Sequence, residues 1–338
     1  MEKELKWGTI IPLIGGSAIG CKKSAGNEPA FHLSYDAFAA NESHIEKYWP
    51  DVPMYRLDHE DLDIPKQTFN EVDYVNSVCP CAGLSQLNSA KGSAASRGSG
   101  ATQNQWMYNS SEYILENVKP KVLWGENAPG LFTKMGEGVV DRLKAIGEKY
   151  GYSFSLIKTN TELHGIPQRR MRTFYFFWNT PTVPMLSWKF REKKTLIDYL
   201  NEIPEDATHQ DMFMVKGKVT DHFKPYEYVL EKEGLTHSEF AAKFKKGTIA
   251  QYLEKNELIP DCIKWLEEHY PKRGFSNKKS TKTFIDMLEH QEYKTSQGLG
   301  YWDASPHFFH DSFSALIGRN MFNGVHPIEN RYLNVREM

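Results

Sequence analysis

The 338-residue chain lacks several features that assign proteins to well-defined classes. No apolar run reaches about eighteen residues, which argues against a membrane-spanning helix, and the first residues lack the apolar core of a signal peptide. The four cysteines form no C-x-x-C pair and have no histidine pair at zinc spacing beside them. The sequence therefore predicts no metal site and no disulfide framework, and we expect a cytoplasmic protein in a reducing compartment.

A strong charge of either sign is also absent, since the formal net charge is −2. The apolar fraction of 40% and the charged fraction of 25% are typical of a globular protein. If the chain binds nucleic acid, the positive charge that neutralises phosphates must therefore be local.

Alternating strand and helix patterns run over about the first 180 residues. Apolar strand-like runs alternate with helical runs at residues 36–50, 110–120 and 131–150. Serines at the start of the second of these runs are placed to cap a helix. This alternation predicts an α/β fold with a doubly wound, mostly parallel sheet and helices on both faces. Ligands bind such sheets beyond the carboxyl ends of the strands.

The alternation of strand and helix patterns ends at about residue 181. A segment interrupted by prolines follows, and then lysine-rich helical segments begin. We predict an α/β domain at 1–180, a smaller and largely helical domain at 181–294, and a return segment toward the first domain at 295–338. The stretch LTHSEFAAKFKKGTIAQYLEKN predicts two short helices around a KKG turn. Either a helix-turn-helix or two amphipathic helices packed together gives this pattern.

Four motifs whose residues could bind a ligand or take part in catalysis occur near predicted strand ends. A glycine turn, Ile14-Gly15-Gly16, allows close backbone approach to a ligand. The turn Cys79-Pro80-Cys81 precedes a Gly- and Ser-rich stretch and offers a thiolate, although a buried structural cysteine gives the same letters. Glu126, in GENAPG, is a candidate acid or hydrogen-bonding carboxylate, or a turn residue.

The fourth motif, GIPQRRMRTF, places three arginines close together before a strand. Alternation along a strand puts Arg170 and Arg172 on one face. A solvated basic edge is the alternative interpretation. Together the four motifs resemble, in order and spacing, those of the DNA (cytosine-5) methyltransferases, and HPIENRYLNVRE resembles the segment that follows that family's recognition region.

The resemblance implies a methyltransferase of the Rossmann-like, S-adenosylmethionine-dependent kind that acts on double-stranded DNA. It implies that Cys81 adds to C6 of a flipped cytosine, which makes C5 nucleophilic. Glu126 would bind the N3/N4 edge, and Arg172 would hold O2 with support from Arg170. The stretch Ser85–Gln105 would close over the base. Further substrate contacts are expected from Ser85, Asn127 and Gln168.

The same resemblance implies an S-adenosylmethionine pocket. Its expected residues are Ile11, Leu13, Ile14, Gly15, Gly16, Ser34, Asp36, Asp58, Pro80, Asn104 and Trp106. Ile11 takes the place of an aromatic residue that stacks on adenine, and Leu13 takes the place of a glycine. Ser34 stands where the ribose-binding carboxylate is expected, and Asp36 is predicted to share its strand face. Asp58 fits the adenine amino contact.

The family's last motif has no counterpart before Met338, so a second polypeptide would supply it, or the chain is a truncated form with weak or no activity. Two other activities remain open within the resemblance: methylation of tRNA, and DNA binding without catalysis. Residues 181–294 would determine the DNA target within a restriction-modification system of a bacterium or phage. A cysteine hydrolase that pairs Cys81 with His164 is an unrelated alternative.

Overall fold

A computed structural model describes most of the chain. The described residues are 4–85, 97–166, 168–186, 195–203, 219–269, 307–309, 313–314, 324–328 and 333. Contacts divide the chain into two compact units, which are Met1–Asn160 with Met171–Trp188, and Thr161–Arg170 with Lys189–Met338. The boundaries expected at residues 180 and 294 stay predictions.

The strands and helices of the described residues follow in chain order. The strands are β1 Trp7–Ile10, β2 Phe31–Ser34, β3 Met54–Arg56, β4 Tyr74–Ser77, β5 Val122–Asn127, β6 Ser153–Asn160, β7 Gln168–Arg169, β8 Met171–Trp178, β9 Lys246–Thr248, β10 His307–Phe309, β11 Phe313–Ser314 and β12 Gly324–Val325. The α-helices are α1 Gly16–Ala25, α2 Ser43–Tyr48, α3 Gln105–Tyr113, α4 Glu137–Lys149, α5 Leu196–Asn201, α6 Val219–Glu233, α7 His237–Phe244, α8 Ile249–Lys255 and α9 Ile259–His269.

The first unit contains a seven-stranded sheet of order β3-β2-β1-β4-β5-β8-β6. Strands β1 to β5 pair in parallel, whereas β8 runs antiparallel to both β5 and β6. Buried side chains form one cluster with α3 and α4 on one face and another with α1 and α2 on the other. The predicted doubly wound, mostly parallel α/β fold is confirmed.

Three predicted helices differ from the observed ones. The helix expected at residues 131–150 begins only at Glu137, because the preceding residues form the 3-10 turns Pro129–Phe132 and Lys134–Gly136. The helix expected at residues 36–50 is split into a 3-10 turn, Asp36–Asn41, and α2, because the chain breaks at the buried Glu42. The serines expected to cap a helix at residue 110 instead lie inside α3, which begins at Gln105. The buried Met107 and Tyr108 extend the apolar face of α3 toward its start, so the helix begins earlier than the serines indicate.

The second unit contains the two short helices predicted around the KKG turn. Helices α7 and α8 each begin with a capping box, formed by Thr236 with Glu239 and by Thr248 with Gln251. Both helices bury apolar residues in one shared cluster. This shared core favours the interpretation as packed amphipathic helices.

A histidine connects sequence-distant segments of the second unit. The carbonyl of His326 accepts from Nε2 of His237 at 2.7 Å, so Nδ1 of the neutral ring accepts from the Tyr226 hydroxyl at 2.5 Å. Burial lowers the pKa of His237. The neutral ring is therefore the form that this unit stabilises.

None of the helices in the described ranges combines the length and apolar composition that a bilayer-spanning segment needs.

We predict that acid destabilises the second unit through His237. Because its folded-state pKa is depressed, the unfolded chain binds the proton more readily, so the free energy of unfolding falls as the pH drops below about 6.5. The measurement is the urea concentration at which the buried Cys262 becomes reactive to a dipyridyl disulfide, at pH 7.5 and 5.5. His237→Gln should lose much of this pH dependence, and the exposed His44→Gln should keep it. Equal pH dependence in wild type and His237→Gln would contradict the assignment.

Candidate active site at the carboxyl edge of the sheet

Residues of all four motifs lie at one edge of the first unit's sheet. The glycine turn follows β1, the cysteine turn follows β4, and Glu126 lies near the end of β5. Strand β8 runs in the opposite direction, so its beginning, with Arg172, lies at the same edge. The carboxyl edge of this sheet is therefore the candidate site.

The two cysteines of the turn differ in exposure. Cys79 is only 3% exposed and belongs to the main apolar cluster, and burial raises the pKa of its thiol. Cys81 is half-buried and precedes the 3-10 turn Ala82–Leu84, with the half-buried Pro80 between the cysteines. None of the four cysteines, all within the described ranges, forms a disulfide. Cys81 is thus the more accessible thiol.

Glu126 and Arg172 form an ion pair through Oε1 and Nε. The antiparallel register explains the contact, because Glu126 lies opposite Phe174 and Arg172 precedes Phe174 by two residues on the same face. The glutamate side chain is 26% exposed and that of the arginine 18%. An Arg172 Nη1 group also donates to the Met171 carbonyl at 2.7 Å. The sequence motifs that contain these residues are thus brought together.

Arg170 lies at a break between two strands. Strand β7 ends at Arg169 and β8 begins at Met171, and the backbone N–H of Arg170 donates to Oγ1 of Thr161 at 3.1 Å. The strand predicted to carry both arginines is thus interrupted at Arg170, and the face shared by Arg170 and Arg172 stays a prediction. Gln168, in β7, pairs with Phe313 of β11.

Residues 86–96 of the predicted closing stretch lie outside the described residues, but both of its ends are described. Ser85 is half-buried after the 3-10 turn that follows Cys81. At the other end, the buried Asn104 donates from Nδ2 to the Gly98 carbonyl at 2.9 Å. A Cβ on Gly130 would lie 2.1 Å from the Leu84 carbonyl oxygen, so the GENAPG turn packs against the first end. Asn104, expected to line the cofactor pocket, holds the second end.

Asn127 carries an unsatisfied group in the site. The side chain is fully buried, and its Oδ1 accepts from the Ala128 N–H at 2.8 Å. Its Nδ2 has no hydrogen-bond partner among the described residues. A buried amide donor without a partner is costly, which makes it a candidate ligand contact.

The glycine turn has the backbone geometry expected of a ligand-binding turn. Gly15 has a φ of 88°, and a Cβ there would lie 2.6 Å from Cδ1 of Ile45. Gly16 begins α1 in open space, and no side chain of the described residues caps that helix. The first N–H groups of α1 therefore remain available for an anionic group. Leu13 takes a φ of 52°, the left-handed conformation of a glycine position, and Ile14 beside it is exposed.

Two expected cofactor residues are closed off from solvent. Ile11 and Ser34 are fully buried. The Ser34 hydroxyl donates to Oε1 of Glu42 at 2.5 Å, and the other carboxylate oxygen pairs with Arg56. No local sequence pattern predicts this role of Glu42, because a break between two helical segments brings it back to β2.

Asp36 and Asp58 lie together at the surface. Strand β2 ends at Ser34, so Asp36 starts a 3-10 turn and the predicted shared strand face is not formed. The Asp58 carboxylate accepts from the Asp36 backbone N–H at 3.1 Å, and His59 Nε2 lies 2.9 Å from Asp36 Oδ1. Asp58 also lines an open cavity of about 690 Å³.

Trp106 is half-buried beside this region. Its ring lies 5.0 Å from that of Tyr35 and 4.9 Å from that of Phe38, between ring centroids. Such tilted and edge-on contacts fix the indole against the segment that follows β2. Trp106 therefore belongs to the same side of the site as Asp36.

Comparison with known proteins gives a consistent family. The sequence profile of the C-5 cytosine-specific DNA methylases matches residues 13–338. The chain is similar to the Type II methyltransferase M.Bpa9945I of Bacillus paralicheniformis, with 24% identity over an alignment of 310 residues that covers 84% of this chain and 64% of the relative. It is also similar to M.NgoPII of Neisseria gonorrhoeae, with 25% identity over 230 residues, 62% of this chain and 63% of the relative.

A solved structure described as a DNA modification methyltransferase encoded within an E. coli prophage aligns with 60% of this chain and 56% of its own. The sequence identity is 20% and the TM-score 0.44. This chain thus spans 56% to 64% of the lengths of these proteins.

We predict opposite effects of alanine at two glycines near the start of α1. Gly15→Ala should lower the free energy of unfolding by about 1–2 kcal/mol, because its left-handed φ and the contact with Ile45 exclude a Cβ. Gly20→Ala should raise it by about 0.5–1 kcal/mol, because the helical position is open. Urea unfolding followed by tryptophan fluorescence measures both. A stabilising Gly15→Ala would contradict the described turn.

We predict that the buried carboxylate of Glu42 is structurally required. Glu42→Gln should destabilise the protein by about 3 kcal/mol, because Arg56, 12% exposed, loses its buried anionic partner. The control is Glu46→Gln, since Glu46 is exposed and lies 3.6 Å from the same arginine. That change should stay within about 0.5 kcal/mol. If thermal unfolding showed equal losses of stability for Glu42→Gln and Glu46→Gln, the structural role assigned to Glu42 would be wrong.

Proposed function

The chain belongs to the C-5 cytosine-specific DNA methylase family, and on this premise we propose that it methylates C5 of a cytosine flipped out of duplex DNA, through a covalent adduct of Cys81 and with S-adenosylmethionine as the methyl donor. The observation that carries the proposal is the ion pair between Glu126 and Arg172 at the sheet edge where the Cys81 turn lies. A carboxylate and a guanidinium in contact match the donor and acceptor edge of a cytosine.

Cys81 is the proposed nucleophile. C5 of cytosine reacts poorly with electrophiles while the ring is aromatic. When the thiolate adds to C6, an S–C bond forms and the electron pair moves to C5. The C5 atom would then bond to the methyl carbon as the donor's sulfonium–methyl bond breaks and leaves a neutral thioether. Loss of the C5 proton to a base and departure of the Cys81 sulfur restore the ring. Cys79 suits this role poorly, because burial raises its pKa and keeps it a thiol.

Glu126 and Arg172 are proposed to hold the base during this addition. Glu126 would bind the N3/N4 edge, and Arg172 would donate to O2, where negative charge develops. Their mutual contact restricts both side chains before the base arrives, which reduces the entropy that binding must otherwise remove. The unsatisfied Nδ2 of Asn127 offers a further donor at the same edge.

The residues present fit two parts of S-adenosylmethionine. The uncapped start of α1 would bind the methionyl carboxylate, and the exposed Asp58 would accept from the adenine amino group. Ser34 does not fit the ribose contact, because its hydroxyl already donates to Glu42. Asp36, which lies beside Asp58, is the nearest exposed carboxylate along the chain and is the candidate for that contact. When bound, the group supplies an electrophilic methyl on a sulfonium sulfur.

The remaining parts of the proposal concern DNA. The stretch Ser85–Gln105 would close over the flipped base, with its ends held as described at Leu84 and Gly98. Gln168 and Arg170 would contact the substrate, and residues 181–294 would select the target. By analogy with its Type II relatives, the protein would act in a restriction-modification system.

We predict that Cys81→Ala abolishes methyl transfer. Tritiated methyl transfer from S-adenosylmethionine to unmethylated genomic DNA should fall by at least about 10³-fold, because the variant lacks the nucleophile. Covalent trapping on 5-fluorocytosine DNA should disappear as well. Cys262→Ala, in the core of the second unit, is the cysteine control and should keep both signals.

Three results would contradict the proposal. They are retention of transfer by Cys81→Ala, absence of transfer by the wild type with every DNA tested, and preferential transfer to tRNA over duplex DNA. The tRNA measurement separates a change of substrate from a loss of chemistry, since an enzyme that acts on tRNA still transfers methyl groups.

A further inference from the structure

A small polar cluster lies buried beneath the candidate site. It contains Ser77 at the end of β4, Cys79 in the turn that follows, and Tyr175 in β8. The exposed fraction of each side chain is between 0% and 3%. None of these residues has a role in the mechanism above, and most polar groups buried this deeply in proteins are hydrogen-bonded.

The sheet register aligns this cluster across three strands. Ser77 of β4 lies opposite Gly125 of β5, and Gly125 lies opposite Tyr175 of β8. A Cβ on Gly125 would lie 2.3 Å from Cζ and from the hydroxyl oxygen of Tyr175. The tyrosine ring therefore crosses β5 at the one position that has no side chain, and its hydroxyl reaches β4.

The hydroxyl groups of Ser77 and Tyr175 and the thiol of Cys79 come together on the β4 side of Gly125. The Ser77 Oγ lies 3.2 Å from the Cys79 Sγ, and the Tyr175 hydroxyl donates toward the same sulfur over 4.0 Å. Burial raises the pKa of Cys79 and of Tyr175, so both groups keep their protons. The contact is thus a neutral hydrogen-bonded bridge between β4 and β8.

Each part of this bridge is close in sequence to a group of the proposed mechanism. Cys79 precedes Cys81 by two residues, Gly125 is bonded to Glu126, and Tyr175 follows Arg172 by three residues on the same strand. The bridge therefore joins the segment that carries the sulfur to the strand that carries the guanidinium. It does so across the strand that carries the carboxylate.

We infer that the Cys79 thiol and the Tyr175 hydroxyl are positioning groups, which set the Cys81 turn at its working distance from Glu126 and Arg172. This inference rests on the proposed function, and it assigns no contact with the base or the methyl donor to either residue. A misplacement of about 1 Å in a reacting group can reduce the rate by about 10²-fold. The expected effect is therefore on the chemical step, with binding unchanged.

The test compares Tyr175→Phe, Cys79→Ala, the double variant and Cys79→Ser, which keeps a donor and acceptor. Tyr152→Phe is the matched control, because it removes another buried hydroxyl, bonded at 2.7 Å to the Pro120 carbonyl away from the site. The readouts are kcat and KM for duplex DNA, the Kd for S-adenosylmethionine, the rate of trapping on 5-fluorocytosine DNA, and the melting temperature.

The inference predicts a fall of about 10-fold in kcat and in trapping rate for Tyr175→Phe and for Cys79→Ala, with KM and Kd within about 2-fold of the wild type. The double variant should be no slower than the slower single variant, because either loss breaks the same bridge. Cys79→Ser should recover most of the rate, and Tyr152→Phe should keep it.

Several outcomes would overturn the inference while wild-type transfer stands: single variants with wild-type kcat, losses that multiply in the double variant, or an equal fall for Tyr152→Phe. A melting temperature that falls with kcat in the Tyr175 and Cys79 variants, without rescue by Cys79→Ser, would assign them to stability alone. Absence of transfer by the wild type would instead refute the proposed function.

Discussion

The register of β8 between β5 and β6 is the constraint on which the candidate site depends. This strand alone runs antiparallel within the seven-stranded sheet, and it brings residue 172 back to residue 126. A slip by one residue would turn every side chain of β8 to the opposite face and separate Arg172 from Glu126. Pairing on both sides and the burial of Tyr175 and Phe177 specify the register strongly.

Much of this arrangement could be predicted from the sequence. The apolar strands, the glycine turn and the polar residues at strand ends have local signals, and the parallel topology places most of them at one edge. The family resemblance added the link between Glu126 and Arg172. Neither source predicted the break between β7 and β8 at Arg170, because a run of arginines contains no residue that signals the end of a strand.

The buried hydrogen bonds of Glu42 and Asn104 could not be predicted from the sequence for a different reason. Glu42 reaches Ser34 only because the helical segment breaks there, and Asn104 bonds to Gly98 only because the chain turns back on itself. In both cases a polar side chain forms a hydrogen bond with a residue six or eight positions away along the chain, which no regular helix or strand brings into contact. Local propensity contains no information about such pairs, whereas the capping boxes of α7 and α8 are local and were therefore accessible as helix patterns.

The crossing of Tyr175 over Gly125 also has an evolutionary consequence. While the aromatic ring is present, any mutation of Gly125 meets a steric barrier, and if the ring were lost, the glycine would leave a void. Fitness effects at the two codons should thus show reciprocal epistasis. A lineage can replace both residues only in one order. Tyr175 must first change to a small residue, and Gly125 can then change to a larger one.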